Sequence, residues 1–598
     1  WRITTAEGRR LWLDMWTDGA RFMSEQGVVP MAYELFNEPG FTDDSEYARV
    51  LFAQWLKRTY KTPAGMNAAL RTTYASFEEA AAFERLDRPL KVDWLQYNED
   101  LFASVCAIGA KAIREASGQV DVGVCYQPLF FRMPGQNLFK TTRRLNRVMS
   151  HTGGGDLVEG HVLRALADGK PIMDGEMYAG GSRAGFRIPY MREFARGFNA
   201  SYIFKWCKRA HDWRTAYQRE RNPDGTERRN QYGHPVWVYE RDADGNAVKD
   251  ASGNPVRKID FSATAALAKR CAERFGYCVL DPWAARTEWL LGIMDAKRDI
   301  ADVMDLFAPR DRGVPRRVAV LYSYPSERLE LGASRLFDRY VAALDYAHVP
   351  VDVLFEEQLA EGRQDRYAMI VVAGSDSCYD GTLPALKCFA DAGGVVVFAG
   401  GAPMLDEHGF TRAADDIFHG LSFGAELPLS ESGTLSYAGD NYRAVPMREV
   451  AVGDAEWTTV GRLGEAAVVQ ERAQGRGKLV LLNASMPEDD LGRLLAALTE
   501  READIRPVCS AVDLKTGAEA GRLEVVKAVG KQGEDAIVGY LIGNGGGGHR
   551  VLAFTPSDPG LVYCEIRHED AAMPRRLLVP DGNGALALSM PENDWVVL

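Results

Sequence analysis

The sequence predicts an α/β protein with a parallel sheet first, a second parallel α/β unit next and a β-sandwich at the end. In residues 1–312, short apolar runs alternate with helical patterns, which indicates a parallel sheet that is either open or closed into a (β/α)8 barrel. A second alternation of strands and helices occupies residues 313–505. From residue 506 to residue 598, short alternating strands are separated by Gly, Pro and Asp, which is typical of a sandwich.

The first strand ends in an unusual group of residues. An amphipathic pattern over Thr5–Gly27 predicts a helix that leads into an apolar run starting at Val28. That run closes with YELFNEPGF, in which Asn37 and Glu38 stand next to a proline. A simple turn is one interpretation, because Asn, Pro and Gly favour chain reversal. The other interpretation is a rigidly held acid and amide at the edge of the sheet.

Four further apolar runs follow, each with helical or loop sequence after it. They are VDVGVCY (120–126), DLVEGHVL (156–163), PIMDGEMY (171–178) and ASYIFKWC (200–207). In a barrel, the C-terminal ends of the strands are where loops converge into an active site. The polar and aromatic residues at these ends are Gln127, Glu159, His161, Glu176 and Trp206; Tyr178 is a further candidate for binding substrate. Paired rim residues remain the alternative for Glu159 and His161, and a core position remains the alternative for Trp206.

Glu176 is a second carboxylate at a strand end. It lies in IMDGEMYAGG, where Gly175 allows the backbone to approach its neighbours closely. An acid at the end of a buried strand costs free energy unless it is used or paired. Two carboxylates on strands of one barrel are the groups that hydrolyse glycosides, one as a protonated acid and the other as a nucleophile.

The Asn-Glu-Pro strand end, a second glutamate three strands later and a tryptophan on the next strand resemble the clan A glycoside hydrolases. The resemblance implies that Glu38 is the acid/base and that Glu176 is the nucleophile. It also implies that Asn37 binds a sugar hydroxyl and that Trp206 stacks under the sugar. The strand of Glu38 would be the fourth of eight. We therefore expect a (β/α)8 TIM barrel that lacks its first strands, in an N-terminally truncated chain.

A charged segment follows the last barrel strand. The turn signals PDG, DADGN and SGN separate β-prone pieces and predict a hairpin-bearing insertion over residues 211–260. An insertion at this position would overhang the site. His211 at its start, with Asp212 and Trp213, would then contact sugar, or would only anchor the loop.

The second unit, residues 313–505, has the pattern of a flavodoxin-like or glutamine-amidotransferase-like domain. Cys378 follows a strand, as an amidotransferase nucleophile does, but SDSCYDG lacks the small residues of a tight strand-to-helix elbow. The unit instead resembles the trimerisation domain of family 42 glycoside hydrolases, which implies a homotrimer. Barrel, α/β domain and sandwich in this order resemble that family over most of the chain.

Composition excludes several classes of protein. The net charge of -12 argues against nucleic acid as a partner, because phosphate binding needs a basic surface. No stretch approaches the about 20 apolar residues of a membrane span. The nine cysteines show no CxxC spacing, which favours reduced thiols in a cytoplasmic protein over disulfides or a zinc site. The sequence implies no metal and no cofactor.

These observations predict a retaining exo-β-glycosidase, β-galactosidase-like, acting on a terminal sugar of a glycoside or oligosaccharide. A β-mannosidase is an alternative, because the residues that distinguish axial from equatorial hydroxyls are spread over several loops. A non-catalytic carbohydrate-binding protein with a degenerate barrel is an alternative of another class. The missing strands favour it, because an incomplete barrel has open edges, which natural proteins avoid.

Overall fold

The protein is described by a computed structural model. Its described residues are 3–82, 88–118, 121–126, 135–152, 156–177, 183–203, 218–230, 234–250, 253–260, 288–307, 314–329, 333–400, 402–412, 416–427, 433–453, 456–532, 535–545, 548–558, 560–566, 575–591 and 594–598. The predicted site residues Tyr178, Trp206 and His211, with Gln127, Asp212 and Trp213, lie outside them.

The first part of the chain forms a five-stranded parallel sheet in which consecutive strands are neighbours. Its strands are β1 (Tyr33–Asn37), β2 (Val122–Tyr126), β3 (Val148–Ser150), β4 (Ile172–Met177) and β5 (Ala200–Ile203). The helices of this part are α1 (Ala6–Glu25), α2 (Glu46–Tyr60), α3 (Pro63–Leu70), α4 (Phe77–Ala80), α5 (Arg88–Ser117), α6 (Leu138–Thr142), α7 (Leu157–Ala167), α8 (Arg183–Ala195) and α9 (Glu288–Phe307). The strand–helix alternation and the parallel pairing are those of a TIM barrel.

Four of the five predicted barrel strands are confirmed, but the third prediction was wrong. Residues 156–163 belong to helix α7, and the third strand is β3, a three-residue strand that precedes it. Asp156 caps the helix by accepting the backbone N–H of Glu159 at 2.9 Å. Nearly every residue of α7 is buried, so its apolar pattern has no exposed face. A short, continuously apolar run of this kind cannot be assigned to strand or helix by periodicity.

Predicted hairpins of the insertion 211–260 are present in its described residues, 218–230, 234–250 and 253–260. Antiparallel bridges join Arg221 to Glu227, Arg241 to Ala247 and Lys249 to Pro255. Each bridge closes one of the turns PDG, DADGN and SGN. The glycines Gly225, Gly245 and Gly253 in these turns have positive φ, which explains why glycine occupies those positions.

The second unit is an α/β domain around a ten-stranded sheet. Its strands are β6 (Val318–Tyr322), β7 (Val351–Phe355), β8 (Met369–Ala373), β9 (Val395–Ala399), β10 (Leu421–Glu426), β11 (Gly433–Tyr437), β12 (Asp440–Pro446), β13 (Arg448–Val452), β14 (Thr458–Leu463), β15 (Ala466–Gln474), β16 (Gly477–Leu482) and β17 (Ala484–Ser485), of which β10 and β13 form a separate pair. Its helices are α10 (Tyr324–Arg328), α11 (Ala333–Tyr346), α12 (Glu356–Ala360), α13 (Thr382–Asp391) and α14 (Glu488–Ala503).

The centre of that sheet follows the flavodoxin-like order. Strands β16, β9, β8, β6 and β7 are parallel neighbours, and β6, β8 and β9 are buried along their whole length. Their continuous apolar sequences reflect helices on both faces. Cys378 is buried, and burial raises the pKa of its thiol, so a nucleophilic thiolate is disfavoured there.

The C-terminal part is the predicted β-sandwich. It consists of β18 (Cys509–Asp513), β19 (Leu523–Gln532), β20 (Asp535–Asn544), β21 (Arg550–Pro556), β22 (Tyr563–Ile566), β23 (Arg575–Leu578), β24 (Leu586–Met590) and β25 (Trp595–Val597). Antiparallel sheets in the orders β18-β21-β24 and β19-β20-β25-β22-β23 share one apolar core. Within the described part of the chain, no helix is long and apolar enough to cross a membrane.

Buried ion pairs join the barrel to the other two units. Arg187 on α8 is 2% exposed and contacts Asp299 on α9 and Asp594 beside β25. Arg196, just after α8, lies 3.0 Å from Asp345 on α11 and 3.0 Å from Glu524 on β19. Because each buried charge has an opposite charge beside it, breaking one pair would leave an uncompensated ion.

Candidate active site

Glu38 and Glu176 meet at the C-terminal end of the parallel sheet. Glu38 directly follows β1, and Glu176 is the next-to-last residue of β4. A carboxylate oxygen of Glu38 and one of Glu176 lie within 4.8 Å of each other. Asn37, the last residue of β1, is exposed at the same edge. The two glutamates that the sequence selected are therefore close together, on the end of the sheet where TIM-barrel sites lie.

His151 lies between the two carboxylates. Its Nδ1 is 2.7 Å from Oε1 of Glu38, and its Nε2 is 3.3 Å from Oε2 of Glu176. The His151 side chain is only 3% exposed, whereas the Glu176 side chain is 15% exposed and that of Glu38 is 34% exposed. A buried imidazole thus faces both acids, while both acids keep access to solvent.

This arrangement limits how protons are distributed. A neutral imidazole has one N–H and one acceptor nitrogen, and a carboxylate can only accept hydrogen bonds. The hydrogen bond at Nδ1 therefore needs one proton, carried either by Nδ1 or by Glu38. Nε2 lies at ion-pair distance from Glu176. If Glu38 donates to Nδ1 of a neutral ring, Nε2 carries the ring proton and faces Glu176.

The same three side chains are of types that bind metal ions, and each offers one ligand atom within 4.8 Å of the others. The two carboxylates, however, lie against different nitrogens of one imidazole ring. An ion bound at one nitrogen would face away from the carboxylate at the other. The geometry fits a hydrogen-bonded bridge better than a single coordinated ion.

Backbone contacts beyond the strand ends hold Glu38 and His151. The N–H of Glu38 donates to the carbonyl of Cys125 at 2.8 Å, and the N–H of His151 donates to the carbonyl of Tyr126 at 2.8 Å. Glu38 has a φ of 49°, in the left-handed region that non-glycine residues rarely adopt. Such a conformation costs about 1–3 kcal/mol and is kept where the surrounding structure enforces it, often at functional sites.

Gly175 is required because the side chain of Cys125 on β2, two strands away in the sheet, lies against the backbone of β4; the sequence predicted a close approach at this glycine. A Cβ at this position would lie 2.0 Å from Sγ of Cys125 and 3.6 Å from Cδ2 of His151. Real Cβ atoms do not occupy such positions, so any side chain here would displace β4 or its neighbours. The residue that would move first is Glu176, the next along the strand.

A second acidic pair supports Glu176 from behind. Oδ1 of Asp174 accepts the backbone N–H of Glu176 at 2.9 Å, and Oδ2 accepts the hydroxyl of Thr152 at 2.7 Å. Thr152 also lies 2.9 Å from Glu193. Burial raises the pKa of Asp174 and raises that of Glu193 well above its usual range, with the neighbouring carboxyl adding to the effect for Glu193. The raised pKa values favour a proton on this pair, which lies beside β4 and binds the backbone N–H of Glu176.

Glu34 brings another carboxyl group to the cluster from β1. Burial is the largest cause of its raised pKa, and the charges of Glu176 and Glu38 add to it, while His151 opposes it. A raised pKa makes Glu34 easier to protonate beside the other acids. Glu34 was not among the residues predicted from the sequence, although it lies in the same nonapeptide as Glu38.

Glu159 and His161 are not brought to this site. Glu159 is buried in α7 and accepts the hydroxyl of Ser150 at 2.6 Å. His161 lies against the α/β domain, with Nε2 2.8 Å from Asp345 and Nδ1 2.9 Å from Arg164. Burial lowers the pKa of His161 to about 4, so the ring is neutral at pH 7. Both residues were placed at the site because α7 was mistaken for a strand.

The structure adds His151 and Asp174 to the residues selected from the sequence. A signal for His151 exists, since it directly follows the apolar pair Val148 and Met149 and one serine. The run is too short to be recognised as a strand without its neighbours. Asp174 is two residues before Glu176 and was hidden inside a strand that was otherwise assigned correctly.

Comparison with known proteins relates the fold to family 42 of the glycoside hydrolases. A β-galactosidase from Bacillus circulans sp. alkalophilus aligns over 98% of this chain and 83% of its own, with 12% identity and a TM-score of 0.70. A catalytic mutant of Gan42B, a GH42 β-galactosidase from G. stearothermophilus, aligns over 100% and 82%, with 15% identity and a TM-score of 0.67. An exo-carrageenase GH42 from Bacteroides ovatus aligns over 99% and 70%, with 13% identity and a TM-score of 0.60.

No protein-family model matches the chain, and no curated protein matches it. The resemblance is therefore one of fold. It extends over the barrel, the α/β domain and the sandwich, in agreement with the architecture that the sequence predicted.

The contact at Gly175 gives a direct test of the site's packing. We expect Gly175→Ala to cost about 1–3 kcal/mol in stability, because the new methyl group overlaps the Cys125 thiol, and to lower any activity of the site. Combining Gly175→Ala with Cys125→Ala should restore part of the lost stability and part of the lost activity, since the overlapping sulfur is removed. Thermal unfolding and activity assays measure the two effects.

Gly19→Ala is the matched control. Gly19 lies within α1 with nothing within 4 Å of a new Cβ, so this change should leave stability unchanged or slightly raised. If Gly175→Ala behaved like Gly19→Ala, the close contact between Gly175 and the Cys125 side chain would be contradicted.

Proposed function

We propose that the protein is a retaining exo-β-glycosidase, β-galactosidase-like, with Glu176 as nucleophile and Glu38 as acid/base. The observation that carries the proposal is the separation of at most 4.8 Å between carboxylate oxygens of these residues. Retaining glycosidases hold their two carboxyl groups about 5–5.5 Å apart, whereas inverting enzymes need about 6.5–9.5 Å to admit a water. The position of the pair at the C-terminal end of a parallel sheet supports the same function.

The first step forms a glycosyl-enzyme. Glu176 in its ionised form attacks the anomeric carbon, and the bond to the leaving oxygen breaks as Glu38 donates its proton to that oxygen. In this proposal the neutral ring of His151 accepts a hydrogen bond from protonated Glu38 at Nδ1, 2.7 Å away, and presents Nε2–H to Glu176 at 3.3 Å. When substrate binds, its leaving oxygen replaces Nδ1 of His151 as the hydrogen-bond partner of Glu38 and accepts the Glu38 proton.

The second step releases the sugar. Glu38, now ionised, takes a proton from a water molecule, and the resulting hydroxide attacks the anomeric carbon and frees Glu176. The configuration is inverted twice and so retained. Asn37 would bind the sugar hydroxyl next to the anomeric carbon, in line with its exposed position beside Glu38. In the same proposal Tyr178, Trp206 and His211 contact the sugar.

The sugar is proposed to be β-galactoside. Support comes from the names of the similar structures, which are mostly β-galactosidases, although one is an exo-carrageenase. A panel of nitrophenyl glycosides tests this. We expect the β-galactoside to be hydrolysed faster than the β-mannoside, and both α-anomers to be left intact. Hydrolysis of none of the glycosides, with sugar binding retained, would favour the non-catalytic binding protein instead.

Chemical rescue separates the roles of the two glutamates. With an activated nitrophenyl glycoside, we expect azide to restore turnover of Glu176→Ala and to give the α-glycosyl azide, because azide replaces the nucleophile. Glu38→Ala should give the β-glycosyl azide, because azide replaces the water that attacks the glycosyl-enzyme. Product anomers are read by nuclear magnetic resonance.

Glu34→Ala is the matched control for chemical rescue. Glu34 is a neighbouring carboxyl group that the mechanism does not use, so azide should not increase the rate of this variant. The same azide anomer from Glu176→Ala and Glu38→Ala would show that the assigned roles are wrong.

We also propose that the protein acts as a homotrimer. The proposal rests on the resemblance of residues 313–505 to a trimerisation domain. In the same segment, the sequence offers no candidate catalytic residue other than the buried Cys378. A neighbouring subunit would then help to wall the substrate entrance and restrict cleavage to chain ends. Sedimentation equilibrium should give three times the monomer mass of 66.1 kDa. A concentration-independent monomer with full activity would remove the trimer and its role in specificity.

A further inference from the structure

A basic cavity lies where the barrel, the α/β domain and the sandwich meet. It encloses about 220 Å³, and its walls come from the ends of α7 and α8, from β7 and from β19. Gly169 and Gly197, in two of these walls, precede β4 and β5. The cavity is therefore at the N-terminal end of the parallel strands, opposite the end that carries Glu38 and Glu176.

Positive charge exceeds negative charge in the walls. The basic lining residues are Arg164, Arg196, Arg316, Arg366 and Lys527, and the acidic ones are Asp168 and Asp352. Arg164 and Arg366 share Asp352 as their ion-pair partner, at 3.4 Å and 3.9 Å respectively. Lys527 is paired outside the lining, 2.7 Å from Asp558.

Arg316 is a lining cation that has no short-range partner. Within the described residues it makes no hydrogen bond and no ion pair within 4.0 Å, although it is half-buried in the wall of the cavity. Burial, followed by the charge of Arg164, lowers the pKa of Arg316 to about 9, so it remains cationic at pH 7; the charges of Asp352 and Asp345 oppose this shift in part. An anion in direct contact with Arg316 would oppose it further.

Arg196 also lines the cavity. It is 2% exposed, and its Nη2 lies 3.0 Å from both Asp345 and Glu524. Its Nε and Nη1 are buried and have no hydrogen-bond partner among the described residues. Gly160 makes room for the stem, since a Cβ there would lie 2.9 Å from Cγ of Arg196.

We propose that this cavity binds a tetrahedral oxyanion, phosphate or sulfate, either free or as the ester group of a small metabolite. Guanidinium groups match such anions by donating paired N–H groups, and the donors of Arg316 make no hydrogen bond among the described residues. The volume is well above the about 10–15 Å³ that a single water needs.

The site is independent of the glycosidase proposal, because binding can be measured without turnover. The full chain is titrated calorimetrically with inorganic phosphate and with inorganic sulfate, in buffers of equal ionic strength made up with chloride. We expect saturable binding of at least one of the two anions, and a rise in melting temperature that follows the occupancy of the site. Glycerol phosphate as a third ligand distinguishes a site for free anion from one for an ester group.

Arg316→Gln is the main variant, because it removes an unpaired guanidinium and breaks no ion pair. It should weaken binding about tenfold or more, as expected for loss of a charged hydrogen-bonding partner. Arg317→Gln is its control. Arg317 is the next residue along the chain, and it is exposed and not in the cavity wall.

Arg317→Gln should bind the anion as the unmodified protein does. The proposal is overturned if neither anion gives saturable binding above the chloride background. It is equally overturned if Arg316→Gln and Arg317→Gln weaken binding by the same factor, because the effect would then be general surface charge.

Discussion

The site depends on the imidazole of His151, which lies between two acids. Glu38 and Glu176 come from the first and fourth strands of the sheet, and their oxygens are at most 4.8 Å apart. Two carboxylates this close repel each other, the more so where burial weakens screening by water. A ring that faces one acid with each nitrogen relieves this repulsion and fixes the distance between the acids.

The surrounding structure serves to place that ring and those acids. Gly175 leaves room for the Cys125 side chain against β4, one residue before Glu176. Asp174 accepts the Glu176 amide and is itself bound to Thr152, the residue after His151. Glu38 has a left-handed φ of 49° directly after β1 ends. A short set of contacts within the sheet thus positions the two acids.

The sequence predicted the two acids and the order of the domains, because both leave strong local signals. Glu38 ends a mostly apolar run beside a proline, and the central strands β6, β8 and β9 of the α/β domain are uninterrupted apolar runs rich in Val. The third barrel strand was missed because β3 has three residues, whereas the helix after it is buried on all sides and has a longer apolar run. His151, Glu34 and the pair Asp174 and Glu193 could not be predicted, because their roles arise from contacts between strands and helices.

The central claim is that Glu176, held by His151 opposite Glu38, is the residue that bonds to the sugar. A 2-deoxy-2-fluoro β-galactoside with a dinitrophenyl leaving group slows the release step, so the glycosyl-enzyme accumulates and can be digested and located by mass spectrometry. The account predicts one sugar per chain, on the peptide that contains Glu176. A label on Glu38, or no label in a protein that hydrolyses the parent galactoside, would contradict it.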